Sequence, residues 1–460
     1  MSYHRTLAAG GAGLPGDQAV RCLHGSTNAA ATVSPVPWTP PDRSPWVEHV
    51  IAYGRGLGDD GRSMVSVAPD DLLAAARLAT SLEDAGDPWF LEPMQQLCAA
   101  LDDEAELHLA GRLRARAELQ LILQNRLRLV NLWKREPAIE NETMRSPIIV
   151  TGLGRSGTTL LHELLSCDPA NRPPLLWELV HTVPGALATE RVATGQPGAD
   201  FVALTDAEIK LMDAMVPAFS AMHENGGHLP TECIFAFAHQ FSSDMFTGLY
   251  NVPSYTIWKS GADQAPAYAW HRRMLQTLQW NPKAEGTSTP SWVVKAPSHL
   301  AELPLVFSTY PDARVVVTHR DPLRVVGSLA DTMATLHWMH SDRVAHDALV
   351  EFLCMGVEIQ MNGVTKVRDS GTLPVDQIAD VVYADLVRDP IGTIERLYRT
   401  WGLELSEGAR TRLEAYVGAR HEQRGPSEHH YRFEDTGLDL AEHRALVADY
   451  QARFGVPSEV

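Results

Sequence analysis

The sequence predicts an α/β protein: a P-loop-type, mainly parallel sheet flanked by helices, with a helical N-terminal subdomain and a helical insertion. Three observations carry that expectation. Short apolar runs rich in valine and isoleucine recur at 148–150, at 291–295, in a run ending at Arg320 and at 380–383, with helical patterns between them. Strands that alternate with helices pair in parallel, because each crossover returns the chain to the same edge. Finally, Gly152, Gly154 and Gly157 follow the first run and open onto Leu160, Leu161, Leu164 and Leu165 at helical spacing, giving strand, glycine loop, helix.

In chain order, residues 1–45 are rich in Gly, Ala, Ser, Thr and Pro without periodicity and read as a mostly disordered arm. Residues 46–144 read as the helical subdomain. One helix starts at Pro69, with Asp70 and Asp71 in its first turn where the helix dipole favours acids, a second starts near Pro88, and a long pattern runs from Glu104 to Arg135. The main domain spans 145–435. After the glycine loop and its helix, 168–174 reads as a loop, and about 204–280 reads as a helical insertion. The insertion carries Met212, Met215, Phe219, Met222, Phe235, Phe237, Phe241, Met245 and Phe246, a stripe that fits core packing or an apolar acceptor pocket. Helices are expected at 300–310, at about 342–368, 391–402 and 406–419, and a tail or helix at 436–460.

Composition bounds the function. At 460 residues the chain has room for one large core and an accessory domain. A formal charge of −18 argues against nucleic acid or an anionic membrane surface as a partner, so an anion site must be a local positive pocket on an acidic protein. The five cysteines (Cys22, Cys98, Cys167, Cys233, Cys354) form no C-x-x-C pair, so no disulfide framework or zinc motif follows, and a reducing compartment fits. The first residues lack the apolar core of a signal peptide and no apolar run is long enough to span a bilayer, which makes a cytoplasmic location the expectation.

The glycine loop admits three readings. As a Walker loop, Gly152–Thr159 fits except that Thr158 stands where the phosphate-reaching lysine belongs. As a dinucleotide fingerprint, the glycine spacing matches and Glu178 lies where a ribose-binding acid would, but the prolines after Arg172 make a poor second strand. The third reading takes Arg155 as a cation inside the loop, with Ser156, Thr158 and Thr159 as hydroxyl donors and backbone N–H groups converging on an anion. Ligands of open parallel sheets bind beyond the carboxyl ends of the strands. Arg155, Lys295, Arg320 and Tyr383 each fall at or just past such an end, and three cations gathered there require an anionic ligand.

These segments resemble the sulfotransferases that use 3′-phosphoadenosine 5′-phosphosulfate (PAPS), of the bacterial type related to tyrosylprotein sulfotransferases. The family's phosphosulfate loop, Pro-[Arg/Lys]-Ser-Gly-Thr-Thr, is similar to Gly154-Arg-Ser-Gly-Thr-Thr159. Its 3′-phosphate motif, an Arg ending a strand and a Ser eight residues on, resembles Arg320 and Ser328, and its Tyr-x-Asp-Leu segment resembles Tyr383-Ala-Asp-Leu. The resemblance covers roughly 145–435. Gly154 replaces the usual proline, and Arg424-Gly425 is all that corresponds to the C-terminal Arg-Lys-Gly of cytosolic members.

The resemblance implies that Gly154, Arg155, Ser156, Gly157, Thr158 and Thr159 hold the 5′-phosphosulfate. Arg320 and Ser328 would hold the 3′-phosphate, and Tyr383 the nucleoside. Lys295 would neutralise the leaving oxygen, with no metal required. It also implies a small-molecule hydroxyl acceptor, a product 3′-phosphoadenosine 5′-phosphate (PAP), and a general base that is Glu178, the favoured residue, or His299. His337 and His340, His421 and the pair His429-His430 are left without a role. A P-loop kinase or NTPase, a Rossmann oxidoreductase and a non-catalytic scaffold with a degenerate phosphate site are the competing readings.

Overall fold

Five parallel strands form one sheet in the order β2-β3-β1-β4-β5, where β1 is Ile148–Gly152, β2 Asn171–Arg172, β3 Ser291–Lys295, β4 Arg314–His319 and β5 Ile378–Val382. The computed structural model describes residues 38–182, 199–222, 224–280, 290–423 and 433–460, so most of the expected arm, Arg424-Gly425 and His429-His430 lie outside the described residues. The expected mainly parallel sheet flanked by helices is the sheet the chain forms. Its central strand β1 is buried at every position and pairs with β3 on one side (Ile148 opposite Val293) and β4 on the other (Gly152 opposite Thr318). One strand was not anticipated: β2 pairs its two residues with Ser291 and Trp292 inside the stretch read as a loop. It stops at Arg172 because Pro173 and Pro174 have no N–H to donate to the ladder.

All five strands run the same way, so the carboxyl ends of β3, β1, β4 and β5 lie side by side along one edge. Helices cover both faces. Thr158–Ser166 and Pro390–Thr400 pack with Ile148, Val150, Val316 and Val381 on one face, while Ile149, Val294, Val315 and Val317 face a core that takes in Pro322–His340, His346–Asp369 and Leu440–Phe454.

The expected helical insertion of about 204–280 consists of Ala199–Met215, Ile234–Ala238, Asp244–Leu249, Pro253–Gly261 and Ala265–Gln279. Pro217 and Pro253 punctuate it, since proline starts a helix more readily than it continues one. The Met/Phe stripe is mainly core. Phe241, Met245 and Phe246 pack with Leu72, Met94, Leu119 and Leu123 of Pro69–Thr80, Leu91–Asp103 and Leu109–Arg135.

Arg126, fully buried, joins those N-terminal helices to the insertion. Its guanidinium donates to the carbonyls of Ala85 (2.8 Å), Asp87 (2.8 Å) and His239 (3.0 Å) and lies over the rings of Phe90 and Trp270. Carbonyl dipoles and ring faces replace the water that burial removes from the charge.

Candidate active site

The turn after β1 is shaped by close backbone approach. A Cβ on Gly152 would lie 2.2 Å from Thr318 Oγ1 of β4, and one on Gly157 would lie 2.7 Å from the Tyr383 ring, with φ of 93° at Gly157. Arg155 between them also has a positive φ, 65°, a conformation costly for a residue with a Cβ and often retained where a binding loop needs it. The Ser156 hydroxyl is fully buried. It donates to the Leu153 carbonyl (2.5 Å) and meets Thr318 Oγ1 at 2.7 Å, so it ties the loop to β4. Thr158 is buried and Thr159 exposed, and both stand in the first turn of Thr158–Ser166, where helix geometry leaves N–H groups without a carbonyl. Gly154 has room around it; the nearest contact to a Cβ there would be ordinary, 3.7 Å to Leu329 Cδ1. Replacing Gly157 by Ala is expected to destabilise the fold by about 1–2 kcal/mol through its positive φ. It would also push Tyr383 off the loop. Thermal melts check the loss of stability.

The separate motifs meet here. Arg155 Nε donates to Ser328 Oγ (3.0 Å), and Arg320 Nη1 donates to the Arg155 carbonyl (3.0 Å). The Arg320 guanidinium lies 4.1 Å above the Tyr383 ring centroid. Loop, β4 end, following helix and β5 end thus form one connected set. Arg320 is also held by Glu459, whose carboxylate accepts from Nε (2.9 and 3.1 Å) and Nη2 (2.8 Å). Glu459 is itself placed by its N–H on Asp321 (2.6 Å), and Asp321 takes two bonds from Arg444 (2.6 and 3.0 Å).

On the other side of the loop, Lys295 is 2% exposed, and its Nζ donates to Thr159 Oγ1 (3.2 Å) and to the Glu232 carboxylate. Glu232 was not singled out in the sequence. It sits in an irregular segment fixed by Thr231 N–H on the Pro174 carbonyl (2.9 Å) and Cys233 N–H on the Lys295 carbonyl (2.8 Å). No periodicity marks it, and only its place between the prolines and helices of the insertion could have drawn attention.

Glu178 is brought to the same side through the Leu175–Pro230 bridge, but both its oxygens are engaged. One accepts from Arg172 (2.5 Å) and the other from the Leu175 N–H (2.9 Å), closing the first turn of Leu176–Val180. Burial pushes its pKa up, against the pull of Arg172 and the Leu175 N–H. His299 faces away from the loop. It is 0% exposed, its Nδ1 meets the Tyr268 hydroxyl at 2.8 Å, and burial lowers its pKa to about 3. His337 and His340 are both buried, their ring nitrogens on the carbonyls of Thr247 (3.2 Å) and Leu336 (2.7 Å).

Residues 147–407 match the model of the sulfotransferase family. The chain belongs to that family. It is similar, at 26% identity over 279 residues, to the omega-hydroxy-beta-dihydromenaquinone-9 sulfotransferase Stf3 of Mycobacterium bovis and of Mycobacterium tuberculosis. The match covers 59% of this chain and 66% of each relative. Among solved structures, sulfotransferase STF1 of Mycobacterium tuberculosis H37Rv superposes with a TM-score of 0.69 at 28% identity, covering 83% of this chain and 98% of that one. Sulfotransferase STF9 of Mycobacterium avium superposes with a TM-score of 0.74 at 24% identity over 85% and 98%, a likeness of fold. Among the described residues, no helix is long and apolar enough to cross a membrane.

Proposed function

We propose that the chain transfers a sulfuryl group from PAPS to the hydroxyl of a small, largely apolar acceptor. The observation that carries this is the contact of Arg155 with Ser328 and of Arg320 with the Arg155 backbone, which places the cations expected for the two ends of the nucleotide within one connected set. The donor's chemistry fits the residues. Two guanidiniums, one ammonium, a glycine turn and helix N–H groups offer cations and donors to a doubly phosphorylated ribonucleotide, and Tyr383 offers a ring beside Arg320. PAPS supplies the activated sulfuryl group and its phosphate leaving group.

Arg155 and the N–H groups of the loop bind the 5′ end. Arg320 and Ser328 bind the 3′-phosphate, with Arg320 exchanging Glu459 for it. Lys295, on the acceptor side of Thr159, donates to the leaving oxygen as charge grows there. Sulfuryl transfer is analogous to phosphoryl transfer, in which positioning and charge stabilisation supply most of the catalysis. Glu232 is the carboxylate in contact with Lys295. When the ammonium turns to the leaving oxygen, Glu232 is released to accept the acceptor's proton. This reading gives Glu178 the task of shaping the turn through its Arg172 and Leu175 contacts, and gives His299 no direct part.

An apolar alcohol agrees with the hydroxylated menaquinone named for the mycobacterial relatives. Thermal denaturation with PAP, ATP and NAD tests the donor. PAP is expected to raise Tm by several degrees at 100 times its Kd, where linkage supplies about 2.7 kcal/mol. Arg155→Ala and Arg320→Ala should each remove most of that rise. A rise with ATP or NAD and none with PAP overturns the proposal.

A further inference from the structure

Behind Lys295, three side chains from separate segments converge in the protein interior. Cys233 precedes Ile234–Ala238, His271 lies in Ala265–Gln279, and His299 follows β3. Cys233 Sγ and one ring nitrogen of each histidine lie within 4.8 Å of one another, and all three residues are at most 1% exposed.

Both histidines have one nitrogen engaged and one bare. His271 Nδ1 meets the Tyr310 hydroxyl at 2.6 Å and His299 Nδ1 meets the Tyr268 hydroxyl at 2.8 Å. The Nε2 atoms of both are buried and find no hydrogen-bond partner among the described residues. The choice of tautomer does not repair this: with the proton on Nε2 a donor is stranded, and with it on Nδ1 a lone pair is. An unmet polar group in a dry core is costly, and two stand side by side here. A metal-bound histidine commonly shows this pattern, its remote nitrogen donating to an oxygen that fixes the ring.

We propose that Cys233 Sγ and the Nε2 atoms of His271 and His299 bind one zinc ion, with the Nδ1–H groups donating to Tyr310 and Tyr268. One thiolate and two neutral imidazoles supply three of the four tetrahedral positions Zn(II) takes, leaving the fourth to a water, and give hard cations such as magnesium little. Burial lowers His299 to about 3 and His271 well below its ordinary value, a direction that favours the neutral imidazoles a metal takes. Burial also raises the Cys233 thiol to about 12. Binding therefore displaces that proton to solvent: the S–H bond breaks, the S–Zn bond forms, and no redox change occurs.

The site does not take part in sulfuryl transfer. Its consequence is positional. Cys233 follows Glu232 and donates its N–H to the Lys295 carbonyl (2.8 Å), while the His299 N–H lies 3.4 Å from the Ala296 carbonyl. An ion joining Cys233 to His299 therefore clamps the segment that carries Glu232 to the segment that follows Lys295.

The test uses the full chain, produced in zinc-supplemented medium and purified without chelator, with metal content measured by mass spectrometry. The expected result is about one zinc per chain, falling at least tenfold in Cys233→Ala and His271→Phe. Replacement by Co(II) should give visible d–d bands and a thiolate-to-cobalt charge-transfer band that Cys233→Ala lacks. The wild-type spectrum serves even if a variant fails to fold. A wild-type protein with less than a tenth of an equivalent of zinc, and no charge-transfer band when refolded with cobalt, overturns the proposal. So does zinc bound equally by the Cys233→Ala chain. Neither result bears on donor binding, which the PAP melts report separately.

Discussion

Replacing Lys295 by Met is expected to lower kcat about 10³-fold while changing PAP affinity by less than about tenfold. The ammonium is almost fully buried between Thr159 Oγ1 and the Glu232 carboxylate, on what the proposed reading makes the acceptor side of the loop. A cation there gains most of its interaction as the leaving oxygen takes up charge, and a group that binds the transition state better than the ground state shows in kcat. Removing it also leaves Glu232 beside an uncharged neighbour, which costs stability of its own. The two effects separate in a cycle. The Lys295→Met, Glu232→Gln double variant should recover part of the loss in Tm and none of the loss in kcat. Steady-state kinetics with a sulfated-product readout, together with melts of all four proteins, provide the check. An unchanged kcat in Lys295→Met removes the lysine from the chemistry.

The second large effect is expected at Glu232. Glu232→Gln keeps the shape and the hydrogen bond to Lys295 but cannot take a proton, so kcat should fall about 10²–10⁴-fold with PAP binding retained. Glu178→Gln is the contrast. Its carboxylate closes the turn at Leu175 and pairs with Arg172, so its loss should lower stability by about 1 kcal/mol and leave kcat within about tenfold. The reverse pattern, with Glu178→Gln inactive and Glu232→Gln active, would return the base to the residue the family resemblance favours. Loss of PAP binding in Glu232→Gln would mean that the carboxylate serves the donor site instead.

The half of the site that is proposed to hold the donor was legible in the sequence because it is built locally. A strand, a glycine turn and a helix are contiguous, and Arg320, Ser328 and Tyr383 follow the ends of apolar runs whose parallel pairing is implied by the intervening helices. The acceptor half was not. Glu232 lies in a stretch without regular structure whose position depends on backbone bonds to Pro174 and Lys295, contacts that no local pattern encodes. The Met/Phe stripe fitted core packing and is mainly core, but apolar spacing does not report that Pro217 and Pro253 divide the stretch into short helices around a core shared with Leu109–Arg135. β2 escaped notice because two residues are too few to leave a pattern. His299 looked available from its place four residues after Lys295, and only the folded chain reveals that the turn after β3 carries it inward to Tyr268.

Glu459 has a consequence for how the nucleotide comes and goes. Because a carboxylate already sits on the Arg320 guanidinium, donor uptake on the proposed reading is an exchange of one anion for another, and the cation never faces solvent alone. Whatever free energy that resident contact holds is subtracted from the affinity of donor and product alike. On that reading the same carboxylate would return as PAP departs, a placeholder that would shorten the residence of the spent nucleotide.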